Sequence, residues 1–331
     1  MRFWWPRTRV AGRLSVGRTS TVALGRTRTA AVRGVTAGVI DVEVSTGRGL
    51  PALDRCPTRG HEAGSAHGCG SMRYGPVKGR PHHRCSRRRG IGFAVASRLA
   101  ARGFDLVLAH HAPHDADQPW GADDVDAVVS AIRDRLEPGR RVEAFGGDLA
   151  EPDAPARLVG EARTAFGHVD VLVANHARSG GDGPLLEQTS ASLDEHWAVN
   201  ARSTLLLCKE FAAQHDGRPG GRIVMMTTGQ NLGPMPGEVA YGAAKAALVG
   251  ILATVAHELA PRGITVNCVT PGPVDTDSYV TDELRQMLAE RFPFGRWGEP
   301  DDPARLIDWL VSDDGRWVTG QVINSEGGFI R

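Results

Sequence analysis

The chain has 331 residues, enough for one large domain or two modest ones. It carries 39 basic and 38 acidic residues, so no overall charge attracts nucleic acid or a membrane surface. Its five cysteines show no metal-type pairing, and their odd number argues against a disulfide framework. No apolar run approaches the length expected of a membrane span. We therefore expect a soluble protein of a reducing compartment, the cytoplasm.

The two ends of the chain differ in composition. Residues 1–85 hold fifteen lysines or arginines but only four acids, and no helical or strand period persists there. From Ser86 onward, apolar strands alternate with amphipathic helices. We therefore predict a basic, poorly ordered segment over residues 1–78, followed by a single α/β domain over residues 79–331.

The predicted elements of this domain form a regular series. Gly90-Ile91-Gly92 leads into a first helix, which Gly103 ends. The predicted helices cover residues 93–102, 123–136, 154–166, 192–215, 241–259 and 303–311. The predicted strands between them cover residues 106–109, 142–145, 169–174, 222–226, 265–269 and 321–323. Such alternation predicts a doubly wound, Rossmann-like parallel sheet with its ligands at the carboxyl ends of the strands.

One pair of side chains points to chemistry. Tyr241 and Lys245 are four residues apart, so they lie on the same face of a predicted helix. An ammonium held near a phenol lowers the phenol's pKa, and such a phenol can protonate a carbonyl oxygen as hydride arrives. The pair alone is a weak signal. It gains weight from Asn200 and Thr228 upstream and from the glycine turn of the first helix.

Together with Asp148-Leu149 and Pro271-Gly272, these motifs resemble the short-chain dehydrogenase/reductase family in order and spacing. The resemblance covers roughly residues 86–331, and the segments 294–300 and 320–328 look most like the 3-oxoacyl-acyl-carrier-protein reductase branch. It implies an NADPH-dependent enzyme that interconverts a carbonyl and a secondary alcohol, on a small-molecule or acyl-carrier-linked substrate. It also implies a homotetramer, built through the helices carrying Asn200 and Tyr241, with no specific nucleic-acid or membrane partner.

The resemblance assigns four catalytic residues. Tyr241 is the acid/base, Lys245 lowers its pKa and bonds the nicotinamide ribose, and Asn200 holds a water that links the lysine to solvent. Thr228 stands where the family usually has serine. Its hydroxyl can donate to the substrate oxygen, but its methyl restricts the rotamer, so we expect function with some loss. The alternatives are an ordinary strand-end threonine at 228 and a buried, satisfied amide at 200.

The resemblance also implies the residues that bind the cofactor. They are Ser86, Arg87, Arg88, Gly90, Ile91, Gly92, His110, Asp148, Leu149, Asn175, Tyr241, Lys245, Pro271, Gly272, Val274 and Thr276. The chain departs from the family pattern twice: the first glycine of the Thr-Gly turn is missing, and the Asn-Asn-Ala-Gly motif is reduced to Ala174-Asn175-His176-Ala177.

Two features favour NADP over NAD. Arginines fill the glycine turn, and we expect one of them to grip the 2′-phosphate, unless the run is only a solvated charge cluster. NAD-binding members carry an acid after the second strand, where this chain has His110-His111. With His114 these histidines also suggest a metal, but no fourth ligand or cysteine accompanies them, so we predict no metal site.

Residues 274–293 lie where the family has its mobile substrate lid. Their apolar side chains are Tyr279, Val280, Leu284, Met287 and Phe292. Two interpretations stay open: they line an apolar substrate pocket, or they form an amphipathic helix that packs on the core.

The first strand of the fold should be central and buried on both faces, but Gly79-Arg-Pro-His-His-Arg-Cys85 stands in its place. Proline cannot donate to a central ladder, and buried arginine is costly unless paired. Codons can be chosen for residues 80–85 that encode Ala-Leu-Ile-Thr-Gly-Val when read one nucleotide later. Our hypothesis is a frameshift or misread start that makes most of residues 1–85 non-native. The gene's nucleotides across codons 78–88 test it.

Other interpretations of the N-terminal segment stay open. It resembles an organellar transit peptide in its arginines, or a basic tail for nucleic acid or acidic partners. Residues 39–44 with Thr46-Gly47 look like a first strand and its turn, but they lie more than forty residues ahead of Gly90, too far to form the same turn. If nothing replaces the strand, the chain is a catalytically impaired family member with a defective cofactor site.

Overall fold

Seven parallel strands form one sheet in the computed structural model, which describes residues 38–41, 90–111, 123–276 and 280–331. The strands are β1 (Gly38–Asp41), β2 (Leu106–His110), β3 (Val142–Gly146), β4 (Val171–Ala174), β5 (Gly221–Met226), β6 (Ile264–Thr270) and β7 (Val322–Asn324). Their order across the sheet is β3-β2-β1-β4-β5-β6-β7. The doubly wound, Rossmann-like fold predicted from the sequence is confirmed.

Helices connect the strands. They are α1 (Ile91–Ala101), α2 (Val125–Arg133), α3 (Ala154–Phe166), α4 (Ser190–Trp197), α5 (Ser203–Gln214), α6 (Val239–Leu259), α7 (Asp282–Met287) and α8 (Asp301–Val311). Local signals explain two of the ends: the Asp124 carboxylate accepts a hydrogen bond from the Asp126 N–H at the start of α2, and Gly103, with φ +87°, follows Arg102, the C-cap residue of α1.

The predicted helix over residues 192–215 contains one turn of a different kind. Between α4 and α5, residues Ala198–Arg202 form one turn of π-helix, in which Asn200 lies at the centre. The predicted helical stretch is confirmed, and the wider turn inside it could not be predicted because it leaves the apolar period on either side unchanged. Such π turns occur often at functional sites.

The central strand comes from an unexpected part of the chain. Gly38–Asp41 lie between β2 and β4, with Gly38 opposite Leu106 on one side and Val171 on the other. The expectation that residues 79–85, or their shifted reading, take this position is therefore corrected: the strand is part of the segment that lies too far from Gly90 to form the family's turn. Four residues of the predicted basic segment thus belong to the sheet. Residues 42–89, with Thr46-Gly47 and the expected strand, lie outside the described residues, and the domain boundary after residue 78 stays a prediction.

Alternate side chains of the central strands enter two separate cores. Val171 and Val173 of β4 face a cluster with α1, α2 and α8, whereas Leu172 faces a cluster with α3, α5 and α6. This period of two, repeated in β5, shows that both faces of the sheet are covered by helices. The motifs at the carboxyl ends of the strands therefore meet along one edge of a rigid layer.

One helical stretch, Val239–Arg262, is long and apolar enough to cross a membrane by length and composition alone. The expectation that no apolar run approaches this length was therefore wrong. The stretch contains α6, which packs against β6 and buries Leu248 and Leu252 in the core. This packing accounts for part of its apolar composition, since 39% of the apolar stretch is buried.

We predict that Ile40→Pro destabilises the fold. Proline removes a backbone donor from a central ladder and leaves an acceptor on a neighbouring strand unpaired, which costs at least about 2 kcal/mol. Denaturant unfolding measures the loss. Ser190→Pro is the matched control, because position 190 is the first residue of α4, where proline is tolerated. An unchanged unfolding midpoint for Ile40→Pro would exclude Gly38–Asp41 from the sheet.

Candidate functional site

The described residues predicted for the site lie at the carboxyl ends of the strands or at helix starts beside them. His110 ends β2, Asp148 and Leu149 follow β3, Asn175 follows β4, and Thr228 follows β5. Gly90, Ile91 and Gly92 open α1, and Pro271, Gly272, Val274 and Thr276 follow β6. Ser86, Arg87 and Arg88 lie outside the described residues.

Lys245 is buried beneath the sheet edge, with 1% of its surface exposed. Its Nζ donates to the carbonyl oxygens of His176 and Met226, each at 3.2 Å, so it joins the ends of β4 and β5. The same nitrogen lies 6.0 Å from the centre of the Tyr241 ring, one helical turn away on α6. The pairing of Tyr241 with Lys245 on one helix face, predicted from their spacing, is present.

Thr228 lies half-buried just beyond β5, before the loop that leads to α6. Its hydroxyl donates to Sδ of Met235 at 3.4 Å, a weak acceptor. The preceding residue, Thr227, donates instead to the carbonyl oxygen of Lys245 at 3.2 Å. The two threonines thus differ in role. Thr227 connects β5 to α6 through its hydrogen bond, whereas the Thr228 hydroxyl makes only a weak bond, which a stronger acceptor can replace.

Asn200 is fully buried in the π turn, and its amide pairs with the backbone of Arg178. Oδ1 accepts from the Arg178 N–H at 2.7 Å, and Nδ2 donates to the Arg178 carbonyl at 3.0 Å. Nδ2 also lies 3.3 Å from Nδ1 of His196. The side chain therefore meets the description of a satisfied amide, and the water-holding role of Asn200 stays a prediction.

His196 is a site residue that our sequence reasoning missed. It is buried between Asn200 and Tyr241, and its ring stands nearly perpendicular to the Tyr241 ring, with 6.3 Å between ring centres. Nε2 lies 3.1 Å from the Gly180 carbonyl oxygen. Burial lowers the pKa of His196, so the ring is neutral at pH 7 and Nε2 is the donor. In the sequence, the available signal was that His196 lies four residues before Asn200, a spacing that places both side chains on one helix face.

His176 explains how the altered Asn-His-Ala loop is accommodated. Its Nε2 lies 2.6 Å from Oγ of Ser203 and 3.3 Å from the Thr204 hydroxyl, both at the start of α5. Because the imidazole binds helix α5 while its carbonyl accepts from Lys245, the substitution keeps the strand end attached to the helix carrying Asn200.

Asp182 lies at the N-terminus of α6. Its carboxylate accepts hydrogen bonds from the backbone N–H groups of Ala240 at 3.0 Å and Tyr241 at 2.7 Å. Burial acts to raise the pKa of Asp182, but these bonds, with those from Gly183 and Gln188, hold that pKa below its usual value. Burial and the nearby Asp182 charge raise the pKa of Glu238, just before α6, to about 7. Neither acid belongs to a motif that would single it out from the sequence.

A cavity of about 340 Å³ opens at the ends of β2 and β3. It brings together three predicted cofactor residues, His110, Asp148 and Leu149. Val199 and Arg202 of the π turn, which no sequence motif singles out, complete its wall. The cavity joins an aliphatic surface to hydrogen-bonding groups, a lining that fits the adenosine half of a dinucleotide.

The glycine turn of α1 offers a second part of a dinucleotide site. Gly90 is the N-cap of α1, and no acidic side chain lies in the helix's first turn. The N-terminus of this helix therefore presents backbone N–H groups and a positive helix end, which suit a pyrophosphate. Among the described residues, no group of three His, Cys, Asp or Glu side chains could hold a metal ion. His114 lies outside them.

The turn after β6 is held from behind. Gly272 has φ +67° and packs so closely on Glu326 that a Cβ at this position would lie 2.2 Å from the Glu326 Cβ. Val274 is buried and pairs with Gly298. Glycine is required at 272 for both conformation and space, and the turn presents a fixed backbone to the site.

Most apolar residues of the predicted lid pack on the protein. Val280, Leu284 and Phe292 belong to a small cluster with Leu288, Trp297 and Phe329. Met287 is 60% exposed, and Tyr279 lies outside the described residues. For Val280, Leu284 and Phe292, the structure therefore favours packing on the protein over the lining of a substrate pocket.

Comparisons with known proteins agree with this geometry. A family model described as enoyl-(acyl carrier protein) reductase matches residues 85–330. The uncharacterized oxidoreductase YjdA of Bacillus subtilis is 42% identical over 243 residues, which are 73% of this chain and 92% of that protein. The 3-oxoacyl-acyl-carrier-protein reductase FabG of Staphylococcus epidermidis is 31% identical over 244 residues, 72% of this chain and 94% of that protein.

A solved structure is similar as well. A short-chain dehydrogenase from Burkholderia cenocepacia, in complex with NADP, matches with a TM-score of 0.63 and 34% identity, over 72% of this chain and 93% of that chain. The family match takes in the glycine turn, the cavity residues and the Tyr241–Lys245 helix, all within residues 85–330. The chain is an oxidoreductase that belongs to the short-chain dehydrogenase/reductase family.

Proposed function

We propose that the protein is an NADPH-dependent reductase that interconverts a carbonyl and a secondary alcohol. The observation that carries this proposal is the buried ammonium of Lys245 one turn from Tyr241, at the carboxyl edge of the sheet where Thr228 follows β5. A small-molecule or acyl-carrier-linked carbonyl compound is the proposed substrate, in keeping with the similarity to the 3-oxoacyl reductase.

The residues of the chain suit the parts of the cofactor. The cavity with His110, Asp148 and Leu149 would hold the adenosine, the N-terminus of α1 the pyrophosphate, and Lys245 with the Gly272 turn the nicotinamide riboside. When bound, the nicotinamide supplies or accepts the hydride. Asn175, directly after β4, and Thr276, in the segment that follows β6, would complete the nicotinamide side of the site.

The side chains would manage the proton. In the reducing direction, the Tyr241 hydroxyl donates its proton to the carbonyl oxygen, which becomes the alcohol hydroxyl, and Tyr241 is left as the phenolate. The positive charge of Lys245 stabilises that phenolate. The Thr228 hydroxyl exchanges its weak bond to the Met235 sulfur for one to the substrate oxygen, which orients the carbonyl.

We assign NADP as the preferred cofactor. His110 and His111 stand where a carboxylate would repel the 2′-phosphate, and Arg87 and Arg88, just ahead of Gly90 in sequence, add positive charge to the segment of the turn. A solved relative was obtained as a complex with NADP. We further propose a cytoplasmic homotetramer, formed through the helices that carry Asn200 and Tyr241, without specific nucleic-acid or membrane partners.

A second function class rests on the central strand. Gly38–Asp41 occupy its position, yet 48 residues (42–89) separate them from Gly90, where the family has a short turn. If this connection does not form a phosphate-binding turn, the protein is a family member with intact catalytic side chains but impaired cofactor binding. A fluorescence titration of the purified chain with NADPH and NADH separates the two: tight binding supports the reductase, and no binding supports the impaired form.

Tyr241→Phe should abolish carbonyl reduction and leave NADPH binding unchanged. The variant loses the proton donor, and general acid–base groups contribute up to about 10⁴-fold to the rate. Single-turnover reduction and the NADPH titration measure the two effects. Retained turnover would remove Tyr241 from the acid/base role.

A matched pair at residue 228 tests the hydroxyl. Thr228→Ser keeps the hydroxyl and removes the methyl, so we expect activity equal to or above that of the wild type. Thr228→Val keeps the shape and removes the donor, and we expect kcat to fall about a hundredfold. Steady-state kinetics decide; equal activities of the two variants would show that residue 228 is only an ordinary strand-end threonine.

His110→Asp should weaken NADPH binding at least about tenfold and spare NADH, because the new carboxylate repels a 2′-phosphate and accepts from ribose hydroxyls. His110→Asn is the control that changes the shape without adding charge. Fluorescence titrations with both cofactors measure the change. If both variants alter the two affinities equally, His110 does not face the 2′ position.

A further inference from the structure

We propose that Asp182 is a positioning residue for the reaction: it fixes the first turn of α6 and thereby the Tyr241 hydroxyl. The inference deepens the proposed function, on which it rests for its catalytic consequence. Asp182 itself need not touch substrate or cofactor to act in this way.

Asp182 accepts hydrogen bonds through both of its carboxylate oxygens. Oδ2 accepts from the Tyr241 N–H at 2.7 Å, and Oδ1 accepts from the Ala240 N–H at 3.0 Å. Oδ1 also accepts from the Gly183 N–H and from Nε2 of Gln188, each at 2.8 Å. Both oxygens are thus used, and the acid/base residue is held by its own backbone nitrogen.

This arrangement differs from the caps of the other helices. Asp124 caps α2, Thr189 caps α4 and Thr281 caps α7, each through a residue two or three positions along the chain. At α6, the N-cap residue Glu238 makes no side-chain cap, and the acceptor comes from a loop 58 and 59 residues away in sequence. A cap from a distant loop fixes where the helix lies, in addition to stabilising its first turn.

The loop that carries Asp182 is itself anchored to the helix pair containing Asn200. The Asn200 amide holds the Arg178 backbone, the His196 ring bonds the Gly180 carbonyl, and the Ser192 hydroxyl donates to the Gly181 carbonyl at 3.1 Å. Residues 178–182 therefore bridge Asn200 at one end and Tyr241 at the other. The loop sets the distance between two of the predicted catalytic residues.

The carboxylate also places a negative charge at the base of the Tyr241 side chain. Its charge acts on Glu238 before α6 and on His196 of α4, and the charges of Arg178 and Glu195 also act on His196. Removing this charge while keeping a side chain of the same shape makes formation of the phenolate easier. A merely structural cap would not change the titration of the Tyr241 hydroxyl.

The test compares Asp182→Asn, which removes the charge, with Asp182→Glu, which keeps the charge and displaces the carboxylate. Asp124→Asn is the matched control, an Asp cap of the same kind on α2, away from the catalytic helix. Five quantities are measured: kcat and KM with NADPH, NADPH affinity, the unfolding midpoint, and the titration of the Tyr241 hydroxyl. The chain has only three tyrosines, so the tyrosinate absorbance of each protein minus that of its Tyr241→Phe counterpart isolates this hydroxyl.

We expect Asp182→Asn to lower kcat at least about tenfold, since displacement of a reacting group by a fraction of an ångström is costly, with NADPH affinity unchanged. Its hydroxyl titration should move down by about half a pH unit. Asp182→Glu should lower kcat without moving the titration, and Asp124→Asn should alter neither. An unmoved titration in Asp182→Asn, with kcat lowered only in step with the folded fraction, overturns the proposal.

The absorbance titration does not depend on turnover. If the wild type reduces no carbonyl compound, the proposed function fails while the titration still decides whether Asp182 acts on Tyr241. If Asp182→Asn does not fold, Gln188→Ala removes one donor to the carboxylate and leaves its charge in place. A lower kcat with unchanged NADPH affinity then supports positioning, and an unchanged kcat contradicts it.

Discussion

The site depends on a buried cation. Lys245 has almost no exposed surface, and an ammonium removed from water is costly unless hydrogen bonds replace its hydration. The carbonyls of His176 and Met226 supply two of those bonds, and both stand at strand ends. The ends of β4 and β5 and the first turns of α6 are therefore fixed together. Tyr241 takes its place from this arrangement, since it lies on the same helix one turn before the lysine.

Much of this was predictable because it depends on local or periodic signals. The sequence alone shows the alternation of strands and helices, the glycine that ends α1, and the four-residue spacing of Tyr241 and Lys245. Parallel connectivity then brings the residues that follow each strand to one edge of the sheet. His110 and Asp148, distant in sequence, line one cavity for this reason alone.

The rest depends on contacts that no local pattern records. The π turn at Asn200 adds one residue to a helical turn without changing the apolar stripe on either side. In the sequence, nothing distinguishes Asp182 from the other acidic residues, and only the fold brings its carboxylate to the N–H groups of Ala240 and Tyr241. In the sequence, His176 is a departure from the Asn-Asn-Ala-Gly motif, and only the structure shows that its ring bonds the Ser203 hydroxyl. In each case the partner lies more than twenty residues away or the backbone departs from a regular helix.

At the central strand, the pairing that the sheet topology requires is met by a segment that was not predicted to take this position. A doubly wound sheet has a single position between β2 and β4, and its backbone groups must be paired on both sides. The arginines, histidines and proline of residues 79–85 suit that position poorly, whereas Gly38–Asp41 occupy it in parallel register with both neighbours. The shifted reading of codons 80–85 would supply a second candidate for the same position, joined to Gly90 by a turn of family length. The two candidates exclude each other, since one sheet cannot hold both between the same strands. They also differ at the phosphate-binding turn, because only the shifted reading restores a Thr-Gly next to the helix that should receive the pyrophosphate.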